Sequence, residues 1–277
     1  MRDLFFLTVG GFCAPRTLVE PHVPLWQRGS CNLPLTVAVV VRDDGGLILI
    51  DAGFSAAACA NFLGELGPLR WLSLQAEVTA TDALIHQLPR LGLDPARVTT
   101  VIATHLHLDH IGGIADFPQA ELVTTADELQ AFASLPPNSG YRAADLARAS
   151  RIRVVRLQAG PQLGFPASHD LLGDGEITLL DARGHTRGHV AVALQGPAGL
   201  VVHIGDAVYR SWEYREEGGG PCRLAALTAA DREEQRRTYL ALRRAAADPQ
   251  RPLLVPSHDP EVYAGLPHAP RQTATNP

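Results

Sequence analysis

One short stretch constrains this chain more than any other. The apolar run from Val98 to Ala103 is rich in β-branched side chains and bounded by polar residues, which reads as a buried strand. His105, His107, Asp109 and His110 follow it at once. Side chains two apart in extended backbone share a face, so His105 and His107 point the same way. A turn after Leu108 then brings Asp109 and His110 round beside them. Neutral imidazole and carboxylate suit zinc and its first-row neighbours, and the pattern is a scheme for two metal ions side by side. The fold must therefore end a strand here, where α/β sheets commonly put their chemistry. The bland alternative is a polar loop with surface histidines. Eleven histidines scattered over 277 residues would almost never give this pattern by chance.

Three later segments repeat the device of a His or Asp directly after an apolar strand. Gly184-His185-Thr186 follows a strand ending at Asp181, Gly205-Asp206 follows one over 200–203, and Ser257-His258-Asp259 follows one over 253–255. With His185, Asp206 and His258 added, the set holds five histidines and two carboxylates. The remaining histidines read differently. His189 lies four residues past His185 and is expected to be structural or to support a ligand from behind. His203, inside an apolar run, reads as a hydrogen-bonded core residue. His22, His86, His169 and His268 read as surface or loop residues.

Taken in order, His105-x-His107-x-Asp109-His110, Gly-His185-Thr, Gly-Asp206 and Ser-His258-Asp resemble the motifs of the metallo-β-lactamase superfamily, across about residues 35 to 260. The resemblance implies an αβ/βα sandwich with a dinuclear metal site at one edge. Carried over by position, His105, His107 and His185 would hold the first metal. Asp109, His110 and His258 would hold the second, with Asp206 bridging both. Two divalent ions per chain are implied, zinc by default, with iron, manganese or cobalt also compatible.

Details separate the branches of that superfamily. Asp206 and His110 depart from the antibiotic-hydrolysing β-lactamases, and His107 is not the glutamate of the di-iron oxygen reductases. The chain is most similar to the quorum-quenching N-acyl-homoserine lactonases, which share all seven ligands and carry a tyrosine three residues beyond the bridging aspartate, here Tyr209. That likeness implies a hydrolase that opens the lactone ring of N-acyl-homoserine lactones, or related lactones and esters, using water ionised between the metals. Tyr209 would donate to the developing oxyanion, and Asp109 would shuttle the proton to the leaving alkoxide. The competing readings are a glyoxalase II-like thioesterase or an organophosphate triesterase on the same site. Further off stand a mononuclear iron oxygenase and a non-catalytic binding module.

Bulk properties narrow the rest. The length and an apolar fraction of 46% allow a large core, read as one domain over 1–263 with a tail over 264–277 rich in Pro and Thr. A formal charge of −5 argues against a nucleic-acid partner. Cys13, Cys31, Cys59 and Cys222 form no Cys-x-x-Cys pair and read as reduced thiols of a cytoplasmic protein. Leu4–Phe12 reads as a first strand rather than a signal peptide, and no apolar segment approaches bilayer length. The partner expected is a small lactone or ester, and a homodimer is left open.

Along the chain, Cys13 to Pro34 reads as an ordered loop over a cleft or a plain connection. Arg42–Gly46 reads as a hairpin turn between strands 35–41 and 47–50. Asp51 either caps a turn or supports the metal site. Thr81-Asp82 is expected to cap a helix ended by Gly92, and residues 134–149 read as an insertion with an alanine-rich helix beside the cleft. Thr228 to Asp231 reads as a capping box for a helix to about Ala247. Asp181 and Asp259 either orient ligands or cap turns, and Trp26 and Tyr141 either face an acyl chain or simply pack.

Overall fold

The computed structural model describes all residues except 22, 25, 135–139, 216–218 and 267–277. Among the described residues, twelve strands form two sheets. The first contains β1 (Asp3–Pro15), β2 (Ser30–Val41), β3 (Leu47–Ile50), β4 (Ala76–Glu77), β5 (Val98–Ile102), β6 (Glu121–Thr125) and β7 (Arg151–Val155), in the order β4-β1-β2-β3-β5-β6-β7. The second contains β8 (Ser168–Asp170), β9 (Ile177–Asp181), β10 (Val190–Gly196), β11 (Gly199–Gly205) and β12 (Leu253–Pro256), in the order β12-β11-β10-β9-β8.

Alternation along the strands dictates the layering. In β1 and β2, Leu4, Phe6, Ala38 and Val40 face inward and meet Ile177, Leu179, Val192 and Val201 of the second sheet. Their neighbours Phe5, Leu7, Val37 and Val39 face outward and pack under Phe54, Cys59, Leu84 and Ile111. The second sheet does the same: Leu180, Ala191, Val202 and Leu254 pack against Tyr239, Leu242 and Ala245 of the helix Arg232–Ala246. Each fully buried Leu, Ile, Val or Phe contributes about 1.5–3 kcal/mol of transfer free energy, so both faces of both sheets must be covered. The result is the expected αβ/βα sandwich in one domain.

Strand direction sets where the chemistry falls. β3, β5 and β6 run parallel, while β11 and β12 run parallel with β9 pointing the same way through antiparallel β10. The C-terminal ends of β3, β5, β9, β11 and β12 therefore reach one edge of the sandwich. Residue 205 must be glycine there: its φ is 52°, and a Cβ would lie 2.7 Å from His189 Nε2.

Several expectations need correction. Cys13–Pro34 lies over a cleft, as Leu18 and Leu33 line the cavity, but it is not all loop: β1 runs on to Pro15 and β2 starts at Ser30, because Cys13 pairs with Asn32 and Pro15 with Ser30. The helix expected from Thr81 is broken into a 3₁₀ turn (Ala80–Asp82), a short α-helix (Leu84–Gln87) and a second 3₁₀ turn (Leu88–Leu91). Thr79 caps the first piece, and Pro89, lacking an N–H, prevents a continuous α ladder. The long C-terminal helix is capped by Asp231, which accepts from the Glu233 and Glu234 amides, while the Thr228 hydroxyl turns back to Leu224 O. The alanine-rich helix is only Ala143–Leu146, and residues 135–139 of that segment lie outside the described residues. The last described helix is Pro260–Ala264, and Leu266 after it is buried. Of the outlying histidines, His86 is exposed and His169, in β8, is half-buried, while His22 and His268 lie outside the described residues. Among the described residues, no helix is long and apolar enough to cross a membrane.

Candidate metal centre

All seven side chains singled out from the sequence meet at this edge. His105 follows β5, and a helical turn, Leu108–Ile111, swings Asp109 and His110 back beside it. His185, Asp206 and His258 arrive from the ends of β9, β11 and β12. Their donor atoms form three groups, each with all atoms within 4.8 Å: His105, His107 and His185; His105, His110 and Asp206; Asp109, His110 and His258.

The distances match those around small divalent cations. A tetrahedral ion with bonds of about 2.0 Å has ligand–ligand edges of about 3.3 Å. Here His107 Nδ1 and His185 Nε2 are 3.2 Å apart, His110 Nε2 and Asp109 Oδ2 3.4 Å, and His258 Nε2 and Asp206 Oδ1 3.2 Å. Asp206 lies between the groups: Oδ1 is 3.2 Å from His110 Nε2, and Oδ2 is 3.6 Å from His185 Nε2. His105 Nε2, His110 Nε2 and Asp206 Oδ1 are buried without a hydrogen-bond partner. Buried polar atoms are normally paired, so these orphans fit a metal site.

For His105, His107 and His185 the electrostatics point the same way. Burial, reinforced by neighbouring histidines, drives the pKa of His105 well below the usual imidazole value, and burial also lowers His107 and His185. All three are thereby held in the neutral, ligating form. Burial opposes ionisation of Asp206, yet His258 and His110 outweigh it and hold its pKa well below the carboxylate range. His110 is likewise opposed by burial, but Asp206, Asp109 and Asp51 raise its pKa well above 6.5.

Supporting contacts orient the rings. His258 Nδ1 donates to Pro34 O at 2.8 Å, and His110 Nδ1 donates to Asp51 Oδ2 at 2.8 Å. Asp51 also accepts from the Thr104 amide and hydroxyl, so it supports the site rather than merely capping a turn. Its φ of 61° is a left-handed backbone uncommon outside glycine, at a fully buried position. His189 Nε2 accepts from the Asp206 amide at 3.1 Å, and His203 Nε2 donates to Thr36 O, as supporting and core residues respectively. Asp259 accepts from the Ser211 amide and caps the helix Pro260–Ala264, while Asp181 pairs with Arg183.

A cavity of about 1000 Å³ opens over five of the seven donors, His107, Asp109, His185, Asp206 and His258. Phe12, Leu18, Leu33 and Leu224 wall it, and Tyr209, His107, Asp109 and His258 line its floor. The Tyr209 ring stacks on His258 at 5.3 Å between centroids, and burial raises its hydroxyl pKa well above 10. Tyr141 also lines the cavity and packs edge-on against His107 at 4.8 Å. Trp26 does not; it is 85% exposed. Two buried glutamates escaped the sequence reading. Glu128 accepts from the Leu106 and Gly188 amides, and Glu213 from the Tyr209 and Arg210 amides.

A two-sheet sandwich with paired His and Asp clusters at one edge defines a class of metal-dependent hydrolases. The chain belongs to the metallo-β-lactamase superfamily, whose family model matches residues 33–258. It is 34% identical to the probable metallo-hydrolase Rv2300c of Mycobacterium tuberculosis over 241 residues, covering 81% of this chain and 74% of that protein. It is 29% identical to the N-acyl homoserine lactonase AttM of Rhizobium johnstonii, covering 86% and 87%. Among solved structures, a variant of AiiA from B. thuringiensis with N-decanoyl-L-homoserine bound at its active site superposes with a TM-score of 0.76 at 20% identity, covering 96% and 97%.

Proposed function

We propose that this enzyme is a dinuclear metal hydrolase that opens the lactone ring of neutral substrates bearing an apolar chain, with N-acyl-homoserine lactones as the substrate class. The observation that carries this reading is the cavity itself. Its apolar wall leads directly onto the His and Asp donors, and no arginine is among its described lining residues. An anionic thioester of the glutathione kind would call for cationic partners there, whereas a neutral acyl lactone needs apolar wall and few polar anchors. The lactonase AttM, similar over most of its length, supports the same choice.

Two divalent cations held by His105, His107, Asp109, His110, His185, Asp206 and His258 would ionise a shared water and polarise the substrate carbonyl. Asp206, with one oxygen turned to each donor group, would set their separation. Tyr209 keeps its proton at neutral pH and would donate to the carbonyl oxygen as that atom gains charge. Asp109 has a 13% exposed side chain, against 4% or less for Asp206 and His110. Burial works against its ionisation, but His110 reverses that and lowers its pKa, so Asp109 is a proton acceptor facing the cavity. It would take the attacking water's proton and pass it to the ring oxygen as the acyl C–O bond breaks. Four free thiols support a reducing, cytoplasmic setting, and zinc is the default metal.

The test is elemental analysis of the purified protein beside a panel of acyl lactones, thioesters, phosphotriesters and β-lactams. Two metals per chain with turnover concentrated on lactones is expected. One iron with oxygen consumption, or turnover confined to thioesters or phosphotriesters, would overturn the reading.

A further inference from the structure

We infer that Glu128 is a positioning residue whose carboxylate fixes the spacing of the His105–His107 loop against the His185 loop, and so sets the affinity of the three-histidine cation site. The inference rests on the dinuclear reading above. Glu128 stands in the first turn of the helix Ala126–Ser134, directly after β6, and is 1% exposed. The helix N-terminus favours a carboxylate there, but burying one is costly unless its lone pairs are filled.

All four are filled, and the donors come from the parts of the chain that carry ligands. Oε1 accepts from the Leu106 amide at 2.9 Å, and Leu106 lies between His105 and His107. Oε1 also accepts from the Tyr141 hydroxyl at 2.9 Å, whose ring packs against His107. Oε2 accepts from the Thr186 hydroxyl at 2.7 Å and the Gly188 amide at 3.0 Å, both just past His185. The His185 loop is pressed against the start of this helix. A Cβ on Gly188 would lie 2.0 Å from the Glu128 amide nitrogen, and the Thr125 hydroxyl donates to Gly188 O at 2.9 Å. One side chain therefore ties both sides of the gap across which His107 Nδ1 and His185 Nε2 stand 3.2 Å apart.

Glu128→Gln isolates this role because it keeps the shape. Either hydroxyl donor can rotate to accept from the new amide NH₂, but neither backbone N–H can. Whichever way the amide is turned, the Leu106 or the Gly188 amide is left without its acceptor, and one loop is released.

The experiment titrates metal-free wild type and E128Q with Co²⁺ in competition with a chelator, following visible absorption. Wild type is expected to take up two equivalents. E128Q should bind one of the two equivalents about 10- to 100-fold more weakly, as when supporting groups of metal ligands are removed, with an altered absorption band for that site. Thr186→Val deletes a single hydroxyl donor and should weaken the same step less, and it decides the matter if E128Q does not fold. Wild-type Co²⁺ affinity and spectrum in folded E128Q, or in T186V should E128Q fail to fold, would overturn the inference and leave the dinuclear reading intact. No Co²⁺ uptake by wild type would overturn both.

Discussion

Asp51 Oδ2 lies 2.8 Å from His110 Nδ1, and the same carboxylate accepts from the Thr104 amide next to His105. One residue at the end of β3 thus orients a ligand at the end of β5, from a left-handed backbone of φ 61°. Asp51→Asn should weaken binding of the cation at Asp109, His110 and His258 about 10- to 100-fold. Isothermal titration with Zn²⁺ measures this, and two unchanged binding steps would remove Asp51 from the site.

Asp206→Ala takes away the carboxylate that faces both donor groups. The variant should retain one metal per chain or fewer by elemental analysis and lose at least about 100-fold in kcat, given what a second cation supplies. Full retention of two metals would contradict a shared ligand.

Tyr209→Phe removes only a hydroxyl, leaving the ring to stack on His258. Metal content should stay as in wild type while kcat on an acyl lactone falls about 10- to 1000-fold, the range for loss of one oxyanion donor. Steady-state kinetics decide it; an unaltered kcat would exclude this residue from the reaction.

Phe6→Ala tests the packing between the sheets. Phe6 is fully buried and stacks on His203 at 6.4 Å between centroids. The cavity left behind should cost about 3–5 kcal/mol in denaturant unfolding of the metal-free protein. A loss below about 1 kcal/mol would mean that the inter-sheet core repacks freely.

What the sequence disclosed and what it hid follow from one distinction. The ligands were legible because each sits within a few residues of an apolar strand, and strands such as Val98–Ile102 and Val190–Gly196 declare themselves by composition. β8, only Ser168–Asp170, has no alternation to detect and exists because its backbone pairs with β9. The ends of β1 and β2 were hidden for the same reason, since Cys13, Ala14 and Pro15 are held by Asn32, Cys31 and Ser30 across the ladder. Glu128 and Glu213 were invisible because a glutamate near a helix start looks solvated until distant loops are seen to close over it. Asp51 stood between two readings until His110 was found beside it.

The donor set is divided between the layers: His105, His107, Asp109 and His110 descend from the first sheet, and His185, Asp206 and His258 from the second. Ions seated among them would rivet the two halves of the sandwich together at the rim. Sliding of one sheet past the other would then have to break coordination bonds before it disturbed any side-chain packing. With both sites filled, catalytic competence and the mechanical integrity of that rim would be the same property.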